Sequence, residues 1–304
     1  MTKLLGNFFP IKKNNFLIFL FHGVIKKNLF SVRNYNNKHI LEKKFIKILS
    51  FLKKNGNALS IDELCNSIRN NIDLPKNSYL ITFDDGFENN YSIAAPILKH
   101  FKIPAIFYFS SDFIENNSVS WIDKIEHCLE KTSKGTLSLP WSKKKFSFNN
   151  RKNKIKILEN IRRHVKNDFS INITELINNI FFQCNMKVPN KLYSNIDKKI
   201  NWKKVNKLNE HHLFTIGGHS HEHFSFGSLT KKEIDFQIFQ SFKLFKKNTR
   251  LDLKHYSYPE GQKRDFNTYV IKKLKSKKII CCPSAIDGIN KISTDFFKLK
   301  RKMI

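Results

Sequence analysis

Short apolar, β-branched runs alternate along this chain with longer segments whose apolar residues recur every three or four positions. That is the pattern of repeated βαβ units rather than of a sandwich. Strands are predicted over residues 16–21, 79–83, 104–109, 214–216 and 256–258, and helices over about 38–54, 61–70, 90–101 and 231–247. The Asn89-Asn90 pair is placed to cap the third helix. From about 114 to 200 the pattern loosens into a Lys/Asn-rich stretch with helical pieces at 121–131, 154–166 and 174–182. This stretch reads as an insertion or cap within one domain spanning 1–304. The predicted strands end on His22-Gly23, Asp84-Asp85-Gly86, Ser110-Ser111-Asp112, Gly217-Gly218-His219 and Pro259-Glu260-Gly261. In parallel α/β folds the carboxyl edge of the sheet is where active sites are built.

Composition changes the picture little. A length of 304 residues suits one large α/β domain, and the formal charge is +30, from 55 Lys+Arg against 25 Asp+Glu. Such a charge raises nucleic acid or an anionic membrane as partners. The basic residues are nevertheless spread everywhere, alongside abundant Asn, Ile and Phe, as an AT-rich coding bias would leave them. No nucleic-acid-binding motif is legible, so no nucleic-acid partner is expected. The basic run 142–156 could meet anionic lipid or a phosphate-bearing glycan carrier, although a solvated loop is the plainer reading. Five cysteines without a CxxC spacing indicate neither a disulfide framework nor a zinc knuckle. The apolar run 16–21 is too short to span a bilayer and lacks a cleavage site after it, so the expected location is cytoplasmic, with peripheral membrane contact left open.

Two features carry chemistry. Asp84 and Asp85 stand side by side after a buried strand, and adjacent carboxylates repel unless solvent or a cation intervenes. An Asx-type turn would explain a lone DDG as well. Further on, GGHSHEHFSFGSL holds His219, His221 and His223 within five residues. His219 and His223, spaced H-x3-H, can converge on one ion; His221 then falls outside the set, and Ser225 rules out an HExxH zincin motif. One carboxylate and two imidazoles suit zinc, and tolerate cobalt, nickel, manganese or ferrous iron. If Asp85 holds the ion, Asp84 is left to take a proton from an attacking water, which is a hydrolase arrangement.

TFDDGF at 82–87, GGHSHEH at 217–223 and YSYPEG at 256–261 resemble, in order and spacing, the first three motifs of the polysaccharide deacetylase family, the NodB-homology domain of carbohydrate esterase family 4. FLFHGV at 19–24 is similar to the "YHxV" opening strand of one branch, and IICCPSAIDGINKISTDFFKLKR at 279–301 resembles that branch's closing segment. The resemblance implies a distorted (β/α) barrel that hydrolyses an N-acetyl, or less often O-acetyl, group on a sugar. It also implies Asp84 as general base and Asp85, His219 and His223 as ligands of one divalent ion, zinc first among the candidates. The backbone N–H of Glu260 would face the oxyanion.

The chain departs from the family's commonest layout in three places. No histidine follows His255, so the general acid would come from His22 on the first strand. The arginine that often precedes the third-motif proline is replaced by Ser257. The aromatic residue that usually follows that proline is replaced by Glu260, a carboxylate that invites a cation such as Arg264. Trp121 and Trp202 could line a sugar groove or simply pack. The expected substrate is an N-acetylated sugar on a nucleotide, lipid or polymer carrier in surface-polysaccharide assembly. The alternatives are a deformylase or O-acetyl esterase using the same groups, a barrel that keeps the metal without turnover, and a basic nucleic-acid-binding protein.

Overall fold

The computed structural model describes residues 9–304; the first eight positions of the expected 1–304 domain lie outside them. The chain falls into two compact units, one built from residues up to 26, 39–117 and 198–304, the other from 27–38 and 118–197.

The larger unit opens with β1 (Asn15–Phe21), β2 (Gly23–Ile25), β3 (His39–Leu41), α1 (Glu42–Asn55), β4 (Asn57–Ala58), α2 (Ile61–Arg69) and β5 (Ser78–Phe83). A π turn over Asn90–Ala94 leads into α3 (Ala95–Phe101), followed by β6 (Ala105–Phe109) and α4 (Ser111–Asn116). The smaller unit holds α5 (Trp121–Lys131), the antiparallel pair β7 (Gly135–Leu137) and β8 (Phe146–Phe148), α6 (Arg151–Asn167) and α7 (Ile173–Gln183). The chain then returns to the larger unit with α8 (Trp202–Asn209), β9 (Phe214–Gly218), α9 (Lys231–Thr249), α10 (Thr268–Ser276), β10 (Asn290–Lys291) and β11 (Lys302–Met303).

Strands β1, β5, β6 and β9 are parallel neighbours in that order, and all of β5 and β6 is buried. Burial on both faces explains why these strands read as continuous apolar runs instead of alternating ones. Hydrogen bonding continues past β9 through parallel bridges from Gly218 to Tyr256 and from His255 to Cys281. It passes on from Cys282 N–H to the Phe296 carbonyl and from Ser284 N–H to the Leu299 carbonyl, and β11 pairs back onto β1. The sheet of this unit thus wraps around toward its first strand, as a distorted (β/α) barrel requires. The helices are started by side chains readable in the sequence: Ser60 and Glu63 form a capping box on α2, as Thr230 and Glu233 do on α9.

Two expectations shift. The 38–54 segment begins as β3, which pairs in parallel with β2, before α1 starts at Glu42. Asn89 and Asn90 do not cap a helix; Asn89 Oδ1 accepts from Val24 N–H (3.2 Å), and Asn90 Nδ2 donates to the His22 carbonyl (2.7 Å). A demand closer to the site outweighs the local capping propensity. The smaller unit has its own core, around Ile125, Leu129, Leu158, Ile161 and Ile180, and a buried ion pair between Arg33 and Asp197. Trp121 packs there and Trp202 packs edge-on to Phe245 in the larger unit, so both tryptophans serve packing.

Gly217 and Gly218 belong to β9 because no side chain fits there. A Cβ on Gly217 would lie 2.5 Å from the Tyr108 ring, and one on Gly218 2.3 Å from the Tyr256 ring. Gly218→Ala is therefore expected to lower stability by about 1–3 kcal/mol through overpacking, measured as a shift of the urea midpoint with an unchanged slope.

Candidate active site

Asp84 and Asp85 follow β5 directly. The Asp84 N–H still donates to the Phe21 carbonyl on β1 (3.0 Å), after which Asp85 turns to φ 75° and Gly86 to φ 95°. Beyond β9, the His219 N–H donates to the Phe109 carbonyl (3.0 Å), and Ser220 and His223 take φ 61° and 62°. Glu260 is at φ 60°. Most other non-glycine residues with positive φ are asparagines, which adopt this region readily. Backbone strain on Asp, Ser, His and Glu costs of order 1–3 kcal/mol each and is concentrated where the chemistry-bearing residues stand.

These turns bring Asp85, His219 and His223 together, with ligand atoms all within 4.8 Å of one another. His223 Nε2 is 3.0 Å and His219 Nε2 3.7 Å from Asp85 Oδ1. His219 Nδ1 lies 2.7 Å from Ser257 Oγ and 3.0 Å from the Ser257 carbonyl. The carbonyl can only accept, so Nδ1 carries the proton and Nε2 presents its lone pair to the cluster. Burial, eased by the nearby Asp84 carboxylate, lowers His219 to about 4 and keeps its imidazole neutral at ordinary pH. Two imidazoles and a carboxylate at this spacing fit a divalent ion. His223 stacks on Phe113 at 5.6 Å, and Lys199 Nζ lies 4.5 Å from the same ring. His221 is turned aside onto Ser111 Oγ (2.8 Å), and Gln237 Oε1 accepts from the His221 and Glu222 N–H groups.

Asp84 is held differently. Arg301, wholly buried, donates two parallel bonds to its carboxylate, both 2.7 Å, and its Nε donates to the Ser284 carbonyl (2.6 Å). Burial alone would raise the Asp84 pKa. The Arg301 charge and hydrogen bonds, with His219 and His22, outweigh burial and hold it below the ordinary aspartate range. The guanidinium missing two residues before Pro259 is thus supplied from the far end of the chain. Arg301 is the residue that sequence reasoning passed over, although it closes the segment FFKLKR. A lone arginine among 55 basic residues carries no local signal. Ser257, read as a loss, steers His219.

His22 sits between β1 and β2, close enough for its charge to act on Asp84. Gly23 makes room beside it, because a Cβ there would fall 2.0 Å from His39 Nδ1. The Glu260 turn is braced by the Gly261 N–H bond to the Pro259 carbonyl (2.6 Å) and by Tyr258 stacked on Phe266 at 4.1 Å. Asp265 accepts from Ser225 Oγ (2.7 Å) and the Gln262 N–H (2.8 Å), and Arg264 Nε lies 3.9 Å from it.

Fold and site together define a distorted (β/α) barrel with a His2Asp cluster beside an arginine-clamped aspartate. A family model described as polysaccharide deacetylase matches residues 71–279. The chain belongs to the polysaccharide deacetylase family. Solved structures agree on the fold: IcaB from Ammonifex degensii aligns at TM-score 0.62 and 13% identity, covering 96% of this chain and 92% of that one. The Streptococcus pyogenes deacetylase PplD, in complex with acetate, aligns at 0.62 and 13%, covering 97% and 93%. A de-N-acetylase from Aggregatibacter actinomycetemcomitans aligns at 0.59 and 16%, covering 94% of each chain. No curated protein sequence matches.

Removing one partner of a buried, hydrogen-bonded ion pair leaves an uncompensated charge. Arg301→Met is expected to cost about 3–5 kcal/mol near neutral pH. Because the folded pKa of Asp84 is depressed, the pair's contribution is present above the ordinary value of 3.8 and is lost as pH falls through the lower folded value. Urea unfolding of both proteins across pH should show the gap narrowing in acid.

Proposed function

We propose that this protein is a metal-dependent hydrolase that removes an N-acetyl group from a sugar of a glycan or glycan precursor. The observation that carries the proposal is the convergence of Asp85, His219 and His223 within 4.8 Å, beside a carboxylate clamped by Arg301. Asp85, His219 and His223 would hold one divalent ion, zinc being the best match to two imidazoles and a carboxylate, with cobalt, nickel, manganese and iron tolerated. When bound, that ion would supply Lewis-acid activation of the attacking water and of the acyl oxygen.

The chain's own groups account for the proton traffic. Asp84 accepts the proton of the attacking water. Arg301 keeps both carboxylate oxygens in one plane and ionised at neutral pH, which costs basicity but fixes direction. The Glu260 N–H, presented by the left-handed turn after Pro259, donates to the oxyanion as the acyl carbon becomes tetrahedral. An amide nitrogen leaves poorly as an anion, so a proton must reach it, and His22 is the histidine outside the Asp85 cluster that acts on Asp84. The substrate is an N-acetylated sugar on a nucleotide, lipid or polymer carrier. Among the described residues no helix is long and apolar enough to cross a membrane.

Acetate release should be measured across N-acetylated sugars on all three kinds of carrier, with formylated and O-acetylated sugars alongside. Asp84→Asn is expected to lower kcat by about 10²–10⁴-fold while the bound ion stays. His22→Asn should lower kcat with the same retention of metal. Wild-type protein that carries the ion yet releases no acyl group from any of these substrates would end this reading.

A further inference from the structure

A second group of metal-type ligands lies away from the Asp85 cluster and takes no part in the chemistry above. Cys65 on α2, His255 at the bridge beyond β9, and Cys281 on the neighbouring bridge segment bring their ligand atoms within 4.8 Å of one another. All three are buried, at 3%, 1% and 0% exposure. Asp62, one turn before Cys65 on the same face of α2, places Oδ1 3.0 Å from His255 Nε2. That carboxylate accepts the Nε2–H bond and fixes the tautomer, which leaves Nδ1 as a bare acceptor. Nδ1 is buried, and no hydrogen bond reaches it among the described residues. An orphaned acceptor in the interior is destabilising. The Cys281 thiol does not relieve it, because its S–H is directed to the Phe296 carbonyl at 3.5 Å.

We propose that Cys65, Cys281 and His255 Nδ1 form a second, structural site for a thiophilic divalent cation, with Asp62 orienting the imidazole. Zinc bonds to sulfur at about 2.3 Å and to imidazole nitrogen at about 2.0–2.1 Å, so small side-chain rotations close the observed spacing onto one ion. Charge selects the metal. Two thiolates neutralise Zn²⁺, whereas Cu⁺ would leave a net negative charge in a desolvated place. Binding would release two thiol protons. The site would staple α2 to the segment that leads from His255 to Ser257, the residue against His219. It would thereby brace the catalytic centre without touching substrate.

Cobalt substitution separates the two centres, because only this one contains sulfur. Reduced wild-type protein loaded with Co²⁺ should bind about two equivalents and show an intense thiolate-to-cobalt charge-transfer band in the near ultraviolet. His219→Ala should lose about one equivalent and keep the band; Cys65→Ser and Cys281→Ser should lose about one equivalent and the band with it. If the cysteine variants do not fold, zinc-edge X-ray absorption of the wild type decides the matter. A shell of about one sulfur per zinc, averaged over both sites, supports the proposal. Reduced wild-type protein with no charge-transfer band and no sulfur shell overturns it.

Discussion

The buried pair between Arg301 and Asp84 is the interaction on which the rest of this site depends. Two adjacent carboxylates at the end of a buried strand would repel and favour protonation, and a single bound ion could offset only part of that repulsion. The protein divides the task. Asp84 receives a permanent counter-charge from its own chain, through two parallel bonds of 2.7 Å to a guanidinium with no solvent exposure. Asp85, one residue on and turned to φ 75°, is directed at the two histidines. A planar fork is needed for this, and an ammonium could not hold both oxygens in one orientation. The pair also joins β5 to the chain's last strand, since Arg301 immediately precedes β11, which lies along β1.

Everything else positions that division. Parallel strands deliver their polar ends to one edge, and the close approach of Tyr108 and Tyr256 to Gly217 and Gly218 carries the chain to His219 without a side chain in the way. Ser257 turns the His219 ring so that Nε2 faces the carboxylates, and the Ser220 hydroxyl accepts the His223 N–H at 3.0 Å to shape the turn that brings the second imidazole back. The cost is backbone strain at four non-glycine residues around the site, which a core of rigid parallel strands can sustain.

Much of this was legible from residues alone, for identifiable reasons. Short continuous apolar runs that end abruptly on Gly, Asp or Ser suit strands buried on both faces, so β1, β5 and β6 were readable to within a residue, as was α5. Motifs local in sequence, DDG and HSHEH, carried Asp84, Asp85, His219 and His223 to the same place. What escaped were contacts between distant positions of unremarkable type. Arg301 looks like any other basic residue until β11 pairs with β1. Ser257 reads as a missing arginine until His219 is seen against it. Asn89 and Asn90 read as caps, since Asn favours caps locally, whereas the fold spends their side chains on Val24 and His22. The Cys65, His255 and Cys281 grouping has no spacing signal at all, because it is assembled by a helix and two bridge segments.

The central claim is that the paired aspartates do different work, one holding the ion and the other the proton. Equilibrium dialysis of the ion against Asp84→Asn and Asp85→Asn tests it most directly. The account predicts that Asp85→Asn weakens affinity by more than the roughly 10–100-fold that loss of an outer hydrogen-bond partner of a metal ligand costs. Asp84→Asn should stay within a few-fold of wild type. Equal losses in the two variants, or the larger loss in Asp84→Asn, would contradict it.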